Sequence, residues 1–338
     1  MPELPEVETI RRGLARLLVS KIIREVSSDT PKSFPNAPRD VDAFVIGAHI
    51  TTVKRRAKVL LIELSSGYTL VTHLKMTGQL VFIKEGSTPP LDPEINSGSS
   101  SHPLKLAHSA RAGARHMGRP QDREYGRRSG EATLRFGGGH PTDSLIGALP
   151  DKTTRVEITF QDESRLFFND LRKFGWMKLV PTIAVPEIDF IRTLGPEPLE
   201  DSFTSDMLYE RLQRRKNTSI KAALLDQTVL AGIGNIYADE SLWGAQIHPV
   251  TPVRLLPKSK IQNLTSEIKA VLLLSLAKGG STDKNYIDAE GNRGSYLSFA
   301  RVFRREGEAC PRCGTTIEKL RVAGRGTHVC PRCQQKYS

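Results

Sequence analysis

The chain of 338 residues contains no run of eighteen apolar residues, so no segment reads as a membrane-spanning helix. Its first residues are acidic rather than basic and then apolar, which argues against a secretory leader. No cysteine precedes position 310, and the four present (Cys310, Cys313, Cys330 and Cys333) sit together near the end. A disulfide framework would scatter its thiols, so this clustering points to a metal site in a reducing, intracellular compartment. Apolar residues are also scarce between positions 86 and 150, where Gly, Ser, Pro and Arg dominate and seven arginines fall between Arg111 and Arg135. Such a composition buries too little to offset the entropy of ordering it. The expectation for 86–150 is a disordered basic insertion.

Basic charge, by contrast, is plentiful. Lys and Arg number 49 against 37 Asp and Glu, a net charge of +12, which favours a polyanionic partner without proving one. The length suggests two or three domains. Residues 43–83 and 155–170 alternate short β-branched runs with Gly and Ser turns and read as strands. After the Pro-rich link "LGPEPLED" the pattern turns helical in "SDMLYERLQRR", "SIKAALLDQ", "NIYADESLWGA" and "SKIQNLTSEIKAVLLLSLAKGG". The expected organisation is α+β and multidomain: a β-sandwich with flanking helices over 1–180, a helical domain over 190–290 and a cysteine module over 298–338.

That module reads "CPRCGTTIEKLRVAGRGTHVCPRC", with spacing C-x2-C-x16-C-x2-C. Two paired knuckles suit tetrahedral four-thiolate zinc; two disulfides or free core thiols are the alternative. A ribbon this small has no core of its own, so the metal would supply folding energy and no chemistry. Arg325 lies between glycines near a hairpin tip: a solvated turn residue elsewhere, a phosphate contact in a basic protein. In "LAGIGNIYADESL", Asn235 is placed to cap a helix behind two glycines. A helix start beside glycines can hold a phosphate, and Lys221, one helix upstream, could reach the same DNA phosphate, although an ordinary interhelical turn has the same pattern.

The chain opens "MPELPEVETI", with two prolines and three glutamates in eight residues. Val7, Ile10, Leu14 and Leu17 then mark one face of a helix. Removal of the initiator Met would free a secondary amine at Pro2. An α-amine titrates near 7.7–8.0, so roughly a tenth is neutral at pH 7, and it can attack an aldehyde-level carbon. Glu3 and Glu6 put carboxyls beside it for proton transfer. Taken alone, the same residues would serve as a stiff start and a complement to the helix dipole.

Taken together, "PELPEVETIRRGL", "RRAKVLL", "HLKMTGQL", "LRKFG", "LGPEPL", "GIGNIYADE" with "HP" soon after, and the four-cysteine finger follow in order. Over residues 1–85 and 151–338 the chain closely resembles the bacterial formamidopyrimidine-DNA glycosylases. The resemblance implies an N-terminal β-sandwich, a helix–two-turn–helix domain and a zinc-ribbon finger holding one structural zinc, with damaged double-stranded DNA gripped between lobes. It implies removal of oxidised purines (8-oxoguanine and formamidopyrimidines) and strand cleavage by β,δ-elimination. Pro2 would attack C1′ to form a Schiff base, with Glu3 as general acid/base and Glu6 as a second carboxylate. Lys58 would assist elimination. Asn235 and Arg325 would clamp phosphates around the flipped nucleotide, with Arg325 also in the last elimination step. Met76, Arg172 and Phe174 would fill the hole left by the extruded base, although on residue type alone Met76 and Phe174 could equally be core.

The resemblance also implies a cytoplasmic bacterial monomer associated with the nucleoid and no membrane. Thr153 or Thr154 stands where the family carries a DNA-contacting His, and Asn217 where a basic residue is usual. A non-catalytic DNA-binding protein would not need Pro2, Glu3, Glu6 and Lys58 together. An endonuclease VIII-like enzyme for oxidised pyrimidines would begin "PEGPEI" rather than "PELPEV".

Overall fold

A computed structural model of the chain describes residues 2–84, the backbone of 135–139, and residues 148–281 and 295–337. Helix α1 (Leu4–Leu18) carries Pro5 in its first turn and buries Leu4, Val7, Ile10, Leu14 and Leu18. Leu18 takes the inward place expected of Leu17, which is half-buried. This face packs onto two antiparallel sheets.

The first sheet runs β1 (Ile23–Ser28), β7 (Thr154–Phe160), β8 (Arg165–Asp170), β5 (Gly78–Ile83) and β6 (Arg135–Gly139); the second runs β2 (Ile50–Arg56), β3 (Val59–Leu64), β4 (Tyr68–His73) and β9 (Trp176–Pro181). Ile158, Phe160 and Phe168 from the first, Leu60, Ile62 and Met177 from the second, and Ile10 and Leu14 of α1 share one core. Truncating a residue so placed, Leu14→Ala for instance, costs about 2–5 kcal/mol. The short helix α2 (Pro38–Phe44) closes one end.

The segment 86–150 lies outside the described residues except for 135–139 and 148–150. There the expectation of disorder needs correcting at one place. Arg135–Gly139 pairs antiparallel with β5, from Gln79↔Gly139 to Ile83↔Arg135. An edge of backbone N–H and C=O groups on β5 wants a partner, and a glycine run can supply backbone where side-chain propensity gives no signal.

Beyond α3 (Asp189–Arg192), helices α4 (Ser205–Gln213), α5 (Ile220–Leu225), α6 (Asn235–Gly244) and α7 (Lys258–Ala277) enclose a second core built on Leu208, Leu224, Tyr237, Leu264 and Ile268. Thr204 and Ser219 cap α4 and α5 by accepting Met207 N and Ala222 N at 3.2 and 3.3 Å. Two turns over 226–234 join α5 to α6, giving a helix–two-turn–helix. The last unit is the hairpin β10 (Glu318–Val322) and β11 (Arg325–Val329). Its two-residue turn places Ala323 and Gly324 at φ 49° and 74°, the left-handed pair that a tight hairpin requires. Among the described residues no helix is long and apolar enough to cross a membrane.

Candidate active site and nucleic-acid interface

Four separate segments meet at the start of the chain. Glu3 caps α1 in an extended conformation, and its own N–H donates to Glu6 Oε2 at 2.8 Å. Its carboxylate crosses to the start of α6, where Oε1 accepts Ile236 N at 3.0 Å. Oε2 is buried without a partner among the described residues. Burial pushes the Glu3 carboxyl up to about 7, with the Lys58 ammonium working against the shift and the Glu6 carboxylate adding to it. Glu6 Oε1 gathers the Tyr237 hydroxyl, Ser281 N at 2.7 Å and Ser281 Oγ at 2.8 Å. Glu6 thus ties α1 to α6 and to the end of the helical domain. Pro2, half-exposed, stands immediately before this pair of carboxylates.

Lys58 arrives from the two-residue turn between β2 and β3, where Ala57 has φ 51°. Its ammonium is buried and donates to Ile233 O at 2.7 Å. Burial lowers its pKa, and Glu3 and Glu6 offset part of the drop. The turn is held from the interdomain link. Glu197 accepts Arg55 Nη1 and Arg56 Nη1, each at 2.9 Å, and the N–H of Ala57, while Arg56 Nη2 donates to Gly195 O at 2.7 Å. Burial disfavours this carboxylate, yet Arg55, the Ala57 N–H and Arg56 hold its pKa below the usual value.

The finger brings Arg325 into the same neighbourhood, where its charge is felt by both Lys58 and Lys221. It is exposed and opens β11, just past the tip of the hairpin. Beneath it, Asn235 Nδ2 donates to Gly326 O at 3.0 Å. At the finger's other end the four Sγ atoms lie within 4.8 Å of one another, with Cys313–Cys330 and Cys310–Cys333 separations of 3.5 and 3.9 Å. A tetrahedron with Zn–S of about 2.3 Å has edges near 3.8 Å, so the cluster fits one zinc with no vacant position. Trp243 Nε1 donates to Cys310 Sγ at 3.4 Å. Cys310, Cys313, Cys330 and Cys333 therefore form a structural zinc site.

Two further loops project from the sandwich. Met76 tops the β4–β5 turn, and Arg172 and Phe174 the β8–β9 turn. Met76 is 38% and Phe174 47% exposed, which excludes the core alternative. A single buried carboxylate secures both turns. Asp170 Oδ2 accepts Phe174 N and Gly175 N at 2.7 and 2.6 Å; Oδ1 accepts Arg172 N at 3.2 Å and the Thr77 hydroxyl. The Arg172 guanidinium lies 4.9 Å from the Phe174 ring centre. Nearby, His73 Nδ1 accepts Lys75 N at 3.0 Å. Burial, with Lys75 and Lys58 adding to it, pushes this imidazole down to about 3. It is neutral, with its proton on Nε2.

Known proteins agree with this arrangement. Residues 1–116 match the formamidopyrimidine-DNA glycosylase N-terminal domain, 194–286 its H2TH domain, and 307–336 a zinc finger found in FPG and IleRS. A formamidopyrimidine-DNA glycosylase of an Exiguobacterium species is 35% identical over 99% of this chain and 100% of its own length; that of Chloroflexus aggregans is 38% identical over 99% and 98%. The chain belongs to the formamidopyrimidine-DNA glycosylase family. These are DNA-binding enzymes of base excision repair. The solved complex of Lactococcus lactis Fpg with DNA containing an abasic site superposes with a TM-score of 0.75 at 29% identity, covering 99% of this chain and 100% of that one. A MutM complex with DNA containing carbocyclic 8-oxo-G gives 0.74, also at 29% identity.

Within this glycosylase, three readings of the sequence need revision. Asn235 is the first residue of α6, and Gly234 is its cap. The glycines of "GIG" are not an open, flexible turn but pack closely against the start of the chain. A Cβ on Gly232 would meet Leu4 Cβ at 2.7 Å, and one on Gly234 would meet Glu3 Cδ at 2.3 Å. They make room for the N-terminal segment, and the anion at this helix start is Glu3. Lys221 does not reach outward either. It is fully buried, and its ammonium is used within the protein.

At the positions that depart from the family pattern, Thr154 Oγ1 donates to Asn169 Oδ1 at 2.9 Å, and Thr153 is buried against Asp151. Lys216 and Asn217 are exposed. Sequence reasoning missed Asp170, Glu197 and the neutral His73. Only "HLKMTGQL", already singled out, gave a hint of His73.

Proposed function

We propose that the chain excises formamidopyrimidines and 8-oxoguanine from duplex DNA and cleaves the resulting abasic site by β,δ-elimination. One observation carries this reading: beside the chain start, a buried Glu3 oxygen has no partner among the described residues, on a carboxyl that titrates near neutrality. A buried orphan needs an explanation, and a proton-transfer group awaiting substrate supplies one.

In this mechanism Pro2, freed of Met1, adds through its lone pair to C1′ as the bond from C1′ to the base nitrogen breaks. The base leaves with the bonding pair, Glu3 delivers a proton to the sugar oxygen, the ring opens, and the nitrogen of Pro2 gives up its N–H proton to solvent as the iminium forms. The Glu3 carboxylate then takes a proton from C2′, and the electron pair left there is drawn toward the iminium. The 3′-phosphate leaves first and the 5′-phosphate second. Lys58 stabilises the negative charge at the reacting sugar. Asn235 and Arg325 hold the flanking phosphates, and Arg325 assists the second elimination. Met76 and Phe174 fill the vacated stack while Arg172 bonds the orphaned base. Glu6 sets the position of Glu3 through the Glu3 N–H.

Both lobes of this cleft come from one chain, which supports action as a monomer. A role on bacterial DNA in the cytoplasm follows from the same reading. The reading is tested on duplexes carrying single defined lesions with borohydride present during turnover. Excision of 8-oxoguanine and formamidopyrimidine with an adduct mapped to Pro2 is expected. An adduct found only on a lysine, or a preference for oxidised pyrimidines, would overturn it.

A further inference from the structure

The buried Lys221 ammonium has three N–H groups, and each has a destination. One goes to Asp239 Oδ1 at 2.6 Å, one to Thr327 Oγ1 at 2.7 Å and one to Gly326 O at 3.3 Å. Lys221 and Asp239 are both inaccessible to solvent. Burial lowers the Lys221 pKa, and Asp239 offsets part of the drop. The other Asp239 oxygen accepts His328 N at 2.9 Å. Three consecutive residues of β11 are therefore fastened to α5 and α6 by polar contacts.

Thr327 is the member that faces Arg325. Its hydroxyl accepts from Lys221 and donates its own proton to Arg325 O at 3.1 Å. Residues two apart on a strand share a face. The carbonyl so held belongs to the residue at which the chain leaves the tight turn, and fixing it limits where the guanidinium can go. The zinc site cannot do this from the far end of the hairpin. A chain of contacts, Asp239 to Lys221 to Thr327 to Arg325, runs from the core of the helical domain to the exposed cation.

We propose that Thr327 is a positioning residue for Arg325, holding its carbonyl through a hydroxyl that is itself anchored on the Lys221–Asp239 pair. The inference rests on the reading above in which Arg325 acts on the nucleotide. The test uses the full-length, zinc-loaded enzyme and single-turnover rates of β- and δ-elimination on an abasic duplex. Thr327→Val removes the hydroxyl and keeps the shape; Thr327→Ser keeps the hydroxyl. The Val variant should slow δ-elimination by up to about tenfold, the scale of one hydrogen bond, with zinc content and borohydride trapping unchanged. The Ser variant should restore the rate.

In an Arg325→Ala background, Thr327→Val should add nothing, because two residues acting through one contact are not additive. Equal slowing in both backgrounds, or no rescue by Ser, would overturn the proposal. If Arg325→Ala slows elimination and Thr327→Val does not, the positioning role alone falls. If Arg325→Ala is itself without effect, the reading of Arg325 falls and the proposal with it. Should the Val variant fail to fold, Thr327→Ala replaces it against the same Ser control.

Discussion

The Glu3 carboxylate occupies the space that a side chain at Gly234 would need: a Cβ there would lie 2.3 Å from Glu3 Cδ and 2.4 Å from Oε1. Gly234→Ala should therefore displace Glu3 from Ile236 N. α6 keeps its remaining anchors, so DNA binding should survive while excision falls by about 10²–10⁴, the worth of a positioned acid–base group. Gel-shift affinity and single-turnover excision check this together. Equal loss of both would mean that Gly234 serves the fold rather than the chemistry.

The pH profile follows from two groups. Glu3, pushed up to about 7 by burial, loses its proton as pH rises through that value. An N-terminal amine gains its lone pair near 7.7–8.0. If excision needs protonated Glu3 and neutral Pro2, its rate is bell-shaped with a peak between the two, and Glu3→Gln removes the falling alkaline limb from the residual rate. Stability moves in a definite direction as well. Between 4.5 and about 7 the folded chain holds a proton at Glu3 that the unfolded chain has released, so this carboxyl erodes stability as pH climbs through that window. At pH 8 the Gln variant should melt higher than the parent. A lower melting temperature there would contradict the burial argument.

Zinc should matter to grip and folding but not to bond breaking. Cys330→Ser leaves three thiolates for a site that fits four, and the finger has little else to fold around. Metal content and DNA affinity should fall together. Circular dichroism and metal analysis of the chelated protein are the checks. Metal-free enzyme that still bound and cut DNA normally would refute the assignment.

Phe174 is 47% exposed, so Phe174→Ala should melt within about 0.5 kcal/mol of the parent, as surface substitutions do. It should cut a paired lesion slowly and a pre-made abasic site at nearly the parental rate, because extrusion costs a few kcal/mol only when a base must leave the stack. Asp170→Ala is the contrast. It strips both projecting turns of their shared acceptor, so stability and both substrates should suffer. Equal slowing of both substrates by Phe174→Ala would remove the wedge role.

What the sequence could reveal follows the range of each interaction. The α1 face, the β7–β8 hairpin and the four cysteines are local patterns and could be read directly. Pro2 and Glu3 stood out in the sequence because an amine and a carboxyl are adjacent in the chain. The partner of Lys58 is Ile233, 175 positions away, and no periodicity encodes such a contact. Lys221 misled for the same reason. Its ion-pair partner, Asp239, is 18 positions away and Thr327 is 106 away, so the lysine could not be recognised as buried. The glycines of "GIG" signal close approach, but not whether a phosphate or the chain's own Glu3 does the approaching. β6 was hidden because its pairing is a property of the exposed edge of β5.

Helix α6 spreads its obligations around its circumference. Tyr237 bonds Glu6 of the first helix, and Asp239 holds Lys221 and His328. Glu240 accepts the N–H groups of Arg301, Val302 and Phe303 at 2.8 to 3.0 Å, and Trp243 reaches the zinc site. Neither the first helix, nor α5, nor the finger can come away without stripping partners from this one helix. The thermodynamic consequence is cooperativity. The N-terminal helix, the helical bundle and the finger should lose structure in one calorimetric transition, and damage to the finger should register in the amide exchange of α1.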